Sequence, residues 1–284
     1  MFFCKIKLIV LIVLTFLGVT LPSLVFSQYF YKDIWNTSQL NRDSKKLKDE
    51  NIKAILMKSF EDDGSISEGF FCERKFDKDF SVSTMMSKSY ITGNSVTLTF
   101  YNDGAMVTRV IDSTASSVNR TDYAYDHKRL KTLNTWTHSS TANDGIKESH
   151  EYIYNSAGQL DRMIRKKMGV EFSTINFVLD KAGNVTEEYE SVHGKLVKSF
   201  FYYYDERNRL TDVVHNSERA KRLLPDYLYE YDASGQPIQM ISTEEMTSNY
   251  FIWKYLYNER NLKKTEKCFS KEKRLLGSIE FSYK

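Results

Sequence analysis

From about residue 98 onward, apolar and polar residues alternate at intervals of two, and the alternation is interrupted at regular distances by an Asp or Asn. Those anchors are Asp126, Asn155, Asp180, Asp205, Asp232 and Asn258, separated by 29, 25, 25, 27 and 26 residues. Immediately before each lies an aromatic-x-aromatic pair or a variant of it: Tyr123-Ala124-Tyr125, Tyr152-Ile153-Tyr154, Phe177-Val178-Leu179, Tyr202-Tyr203-Tyr204, Tyr229-Glu230-Tyr231 and Tyr255-Leu256-Tyr257. Residues two apart on a strand share a face, so each pair predicts a strand with one aromatic row. An Asp or Asn can bond its own backbone two residues on and start a turn, and a Gly three residues later can adopt the left-handed conformation that closes it. Gly158, Gly183 and Gly235 stand there, and Asn208 takes that place once. The next strand restarts at Leu160, Val185, Leu210, Ile238 and Leu262. Fainter copies begin at Phe60, Phe76 and Phe100, and Phe281-Ser282-Tyr283 reads as a last strand.

The expected fold is therefore all-β: tandem antiparallel β-hairpin repeats in an extended or curled meander sheet, over residues 54–284. The one helical expectation is Thr37 to Lys53, within a polar N-terminal linker or short helix at 28–53. Residues 1–27 read as a signal peptide. Lys5 and Lys7 precede an uncharged apolar run from Leu8 to Leu21, and Val25 and Ser27 suit a cleavage site before Gln28. That run is short for a bilayer span, and no other stretch is long enough to cross as a helix. Cys4 precedes the run, which argues against lipidation. The expected location is the bacterial envelope: periplasmic, outer-surface or secreted.

Charge then narrows the partners. The 40 basic and 37 acidic residues become 38 and 37 once Lys5 and Lys7 are removed, and this near-neutral balance lacks the basic footprint of a nucleic-acid binder. Cys72 and Cys268 remain as a candidate disulfide, which in a flat sheet would lie too far apart to bridge.

The recurring pattern [YF]-x-Y-[DN]-x-x-G-x-[LV], carried best by Tyr154-Asn155 with Gly158 to Leu160 and by Tyr231-Asp232 with Gly235, resembles the YD repeat of Rhs and teneurin-type proteins. It is a divergent version, without a toxin domain. The resemblance implies a β-sheet coiled into a shell, and a loose association with carbohydrate.

Candidate chemistry is sparse. None of the five histidines, His127, His138, His150, His193 and His215, belongs to a metal or nucleophile motif, and they read as exposed turn or strand residues. The acidic pairs Asp62-Asp63, Glu187-Glu188 and Glu244-Glu245 do not by themselves place two carboxylates across a cleft. No catalytic residue, metal ligand or cofactor is expected. The tyrosine rows admit two readings. Tyr123, Tyr125, Tyr152, Tyr154, Tyr202, Tyr204, Tyr229 and Tyr231 are either the packing face of the sheet or, if exposed, a surface that stacks on sugar rings. The leading expectation is a monomeric, non-enzymatic binding or structural scaffold of the cell envelope, with a polysaccharide or another envelope protein as the candidate partner. The alternatives are a carbohydrate-binding module and, last, a hydrolase.

Overall fold

The computed structural model describes residues 29–139, 145–244, 247 and 249–284, so the signal-peptide segment and Glu245 lie outside the described residues. The chain forms two compact units. The first, residues 33–148 and 276–284, holds most of a helix α1 (Tyr31–Asp49) and strands β1 (Ala54–Phe60), β2 (Phe71–Phe76), β3 (Val82–Ser89), β4 (Gly93–Tyr101), β5 (Val107–Thr114), β6 (Ser117–Asp126), β7 (Arg129–Ser139) and β18 (Leu275–Tyr283). The second, residues 29–32 and 149–275, holds most of β8 (Ile146–Tyr154), then β9 (Leu160–Lys167), β10 (Val170–Leu179), β11 (Val185–Val192), β12 (Lys195–Tyr204), β13 (Leu210–Ser217), β14 (Arg222–Tyr231), β15 (Pro237–Thr243), β16 (Tyr250–Tyr257) and β17 (Lys263–Ser270).

All eighteen strands belong to one sheet, and the resolved ladders between chain neighbours are antiparallel. The all-β expectation holds, but the meander does not stay open. The first strand pairs with the last, Ile55 opposite Tyr283 and Phe60 opposite Ser278, and also with β2. Strand order is thus that of a closed 18-stranded antiparallel barrel. The physical reason is that an unpaired edge leaves a row of backbone donors and acceptors without partners, and closure removes it. Lys53 and Ala54 N–H both donate to the Lys284 carbonyl, extending this ladder to the C-terminal residue.

Hairpin geometry explains the recurring motif. Gly158, Gly183 and Gly235 have φ of +77°, +88° and +90°, while Asn208 and Asn261 take the same left-handed conformation at +58° and +54°. The anchor carboxylate or amide accepts backbone N–H groups two and four residues on: Asp180 from Ala182 and Asn184, Asp205 from Arg207 and Arg209. Just before each turn the register slips by one residue at the second aromatic position. Tyr203 faces Asp212, whereas Tyr204 faces Leu210; the same shift recurs at Tyr101, Tyr125, Leu179, Tyr231 and Tyr257. A short turn closed by a left-handed residue and followed by a bulge is a favoured way to join two right-twisted strands.

The buried face differs between the units. In the first it is rich in small polar residues, with Ser59, Ser83, Ser95, Thr97, Asp112 and Asn119 buried beside Met57 and Met85. These groups satisfy one another: Ser59 with Ser67, Ser83 with the Tyr101 hydroxyl, and Thr97 Oγ1 donating to Asp112 at 2.9 Å. The helix lies within the 28–53 segment and is bonded to this sheet. Asn41 accepts the Val107 N–H at 2.8 Å, and Lys48 Nζ donates to the Asp103 carbonyl. It starts at Tyr31, six residues before the expected Thr37, and ends where Asn51 turns left-handed at φ +53°. In the second unit the buried face is aromatic, with Tyr152, Phe177, Phe200, Tyr202, Trp253 and Tyr255 all buried.

Candidate functional site

The bulge after the turn disturbs the ladder beside the first residue of the following strand. The tyrosine of the next repeat bonds to that residue's carbonyl. The Tyr125 hydroxyl donates to Val107 O at 2.7 Å, Tyr204 to Val185 O at 2.8 Å, Tyr231 to Leu210 O at 2.7 Å and Tyr257 to Pro237 O at 2.8 Å. Each of these carbonyls belongs to a residue opposite the second motif position of the repeat before, respectively Tyr101, Leu179, Tyr204 and Tyr231. At these four places the second tyrosine is therefore a bolt between successive hairpins, while Leu179 holds the same position without a hydroxyl.

In three repeats the first tyrosine, Tyr152, Tyr202 or Tyr255, lies deeper than the second. Tyr152 and Tyr202 are 4% and 2% exposed, and the rings of Tyr123, Tyr154, Tyr229 and Tyr231 are half-buried. Burial raises the Tyr123, Tyr202 and Tyr229 hydroxyls above the usual phenol range and pushes Tyr125 up to about 12. None of the eight candidate tyrosines is among the exposed large side chains, and the exposed member of Tyr202-Tyr203-Tyr204 is the middle one.

In the second unit this aromatic face is covered by the chain's own residues. The Tyr29 ring is 5.8 Å from Phe200, 5.9 Å from Tyr202 and 6.0 Å from Tyr227, all tilted or edge-on. Phe30 is buried edge-on against His150 at 5.2 Å. Under them sits Glu188, fully buried, accepting the backbone N–H of Phe30 and of Tyr31 at 2.8 Å each and the Tyr202 hydroxyl at 2.7 Å. The Tyr152 hydroxyl completes the cradle by donating to the Phe30 carbonyl. A carboxylate beneath the first N–H groups of a helix is favoured both by hydrogen bonding and by the helix dipole. Sequence reasoning treated Glu187-Glu188 as a pair without a role. The available signal was parity: Glu188 pairs with Phe200 and so shares the aromatic face, while Glu187 points outward to the Tyr189 hydroxyl.

Other ionisable groups are paired structurally. Buried Glu190 accepts from Ser173 Oγ at 2.8 Å and lies 3.5 Å from Arg165. His215 Nδ1 lies 2.9 Å from Asp226 Oδ2, both partly buried. His150 is buried too, correcting the expectation of an exposed strand residue, whereas His127 and His193 do sit exposed, both with left-handed backbone. Asp63 and Asp77 serve turns by accepting from Ser65 and Ser81. Cys72 and Cys268 are buried free thiols, each pushed up to about 12 by burial; Cys72 lies 3.7 Å from the Met57 sulfur. Among the described residues no group of three or more His, Cys, Asp or Glu is placed to hold a metal, and no helix is long and apolar enough to cross a membrane.

These features define an all-β repeat protein whose strands follow a closed antiparallel order and whose aromatic face is internally saturated. No protein-family profile matches the chain, and no curated protein matches it in sequence. Among solved structures, a porin-like protein from Bacteroides uniformis is similar at 10% identity and a TM-score of 0.43, over 82% of this chain and 98% of that one. A porin-like protein from Bacteroides vulgatus gives 10% and 0.30 over 82% and 98%. The Tc holotoxin pore of Photorhabdus luminescens gives 10% and 0.31 over 76% of this chain and 16% of that one. Likenesses this remote carry no function across, and the similarity to YD repeats rests on the recurring motif.

Proposed function

We propose that this chain is an exported, non-enzymatic scaffold of the bacterial cell envelope that works in an aqueous compartment. The observation that carries the reading is the interlock. The bolting tyrosines Tyr125, Tyr204, Tyr231 and Tyr257 are committed to the neighbouring repeat, and the aromatic face of the second unit is committed to Tyr29, Phe30 and Tyr31. Such a construction spends its polar chemistry on rigidity.

The exposed strand faces favour water over lipid. Exposed Lys58 stands opposite exposed Glu280, and Lys254 opposite Lys267. Asp122 bridges Arg109 at 2.5 Å and Arg120 at 2.7 Å. A lipid-facing Lys or Arg near the middle of a membrane costs about 2–4 kcal/mol, so a sheet facing lipid would keep such positions apolar.

Residues 28–284, produced without detergent, should remain in the supernatant after ultracentrifugation and elute as a monomer. A need for detergent, or retention in a carbonate-washed membrane fraction, overturns this reading in favour of a lipid-embedded barrel. Glycan binding through the tyrosine rows is the competing function, and it predicts reproducible hits on a polysaccharide array that vanish in Tyr154→Ala, a half-buried position, with an unchanged circular-dichroism spectrum.

A further inference from the structure

The two ends of the strands in the second unit are chemically unlike. At one end lie the Asp and Asn turns at 155–159, 180–184, 205–209, 232–236 and 258–262, polar and tightly bonded. At the other end, the tips joining β9 to β10, β11 to β12 and β13 to β14 expose large apolar side chains. Met168 and Val170 are 59% and 70% exposed, Leu196 is 58% and Leu223 is 46%. Phe172 is 39% exposed and carries Lys167 Nζ 4.1 Å above its ring. Beside them stand exposed Lys195, Arg219, Lys221 and Arg222, none of which has an ion-pair partner among the described residues. The nearby carboxylates are Glu171 and Glu218, so the rim is basic, although Glu244 on the next tip, between β15 and β16, is acidic and bonded to Thr247 and Asn249.

Pairing fixes these groups as three adjacent projections. Lys167 faces Val170 across the first tip, Val192 faces Lys195 across the second, and Ser217 faces Arg222 across the third. Neighbouring tips are two strands apart, about 10 Å. Between the first two, Glu171, Phe172, Thr174, Asn176, Ser191 and His193 line an open recess of about 510 Å³.

We propose that this basic, apolar-tipped rim docks the protein on an anionic lipid surface. Apolar side chains on separate projections can enter the headgroup layer one by one, while the cations beside them meet lipid phosphates; this is the division of labour of interfacial membrane binding. A protein partner would instead be expected to meet a continuous, complementary patch. The inference rests on the aqueous scaffold reading, because an embedded sheet would hold lipid through its faces and not through these tips.

The test is sedimentation of residues 28–284 with phosphatidylcholine vesicles, with and without phosphatidylglycerol. Wild type should bind the anionic vesicles preferentially and weaken as salt rises. The variant Lys195→Glu/Arg222→Glu should lose about tenfold or more in affinity, each cation near such a surface being a substantial share of the attraction. Lys181→Glu/Arg207→Glu makes the same change in net charge at the opposite strand ends and should bind like wild type. Val170→Ser/Leu196→Ser should weaken the salt-resistant part of binding. These positions are exposed, and matching circular-dichroism spectra would verify that each variant folds. Equal loss in both charge variants, equal binding to neutral vesicles, or no vesicle binding overturns the proposal. Failure of the aqueous reading is seen separately, as a requirement for detergent before any vesicle is added.

Discussion

Glu188 is the residue on which the docking of Phe30 and Tyr31 depends. Its carboxylate satisfies two backbone N–H groups and one hydroxyl inside an aromatic shell. Removing it strands those donors where water does not reach, and each hydrogen bond to a charged group is worth about 1.5–3 kcal/mol. Glu188→Ala should therefore cost about 3 kcal/mol or more in urea unfolding, whereas Glu187→Ala, at a half-buried outward position, should cost under about 1 kcal/mol. Equal effects would show that the buried carboxylate has no special role. Little of this centre was legible beforehand. Strand parity was available to put Glu188 on the tyrosine side and went unused, and nothing local links it to Phe30 and Tyr31, more than 150 residues earlier in the chain.

At the level of elements, the hairpins were the most legible part. Asp180, Gly183 and Val185 encode a turn, a left-handed residue and a restart within six positions, and local chemistry of this kind survives into the fold. The register slip at the second tyrosine was not visible, because it concerns the partner strand. Nor was the fate of that tyrosine's hydroxyl, which bonds one repeat back. The helix was misplaced for a related reason: its polar sequence gives a weak periodic signal, and Asn41 is held by Val107 and Tyr125 instead of by an apolar stripe. The interlock predicts that Tyr204→Phe and Tyr231→Phe each lower stability by about 1 kcal/mol, the usual net value of one hydrogen bond. Exposed Tyr203→Phe should be neutral. Because Tyr231 bonds the carbonyl of Leu210, the residue opposite Tyr204, the two bolts are neighbours and the double variant should depart from additivity; thermal or urea denaturation of the four proteins decides it.

For the whole molecule, the sequence indicated a sheet and missed that its ends meet. Phe281-Ser282-Tyr283 was recognisable as a strand, but pairing between the first and last strands has no local code. Without residues 276–284, β1 loses its β18 partner and exposes an edge lined by Ala54, Leu56 and Phe60. That truncated chain should aggregate or form oligomers in gel filtration, as unprotected edges do. A monomer with an unchanged circular-dichroism spectrum would show the last strand to be dispensable.

The meeting of Ile55 with Tyr283 also dictates when the molecule can be finished. A chain threaded outward from its N-terminus delivers β1 first and its final neighbour last. Local hairpins are free to form during passage, but the seam must wait for release of the C-terminus, and so long-separated a contact is intrinsically slow to make. During that interval the nascent chain carries an open seam, and that is when it most needs shielding from its own kind.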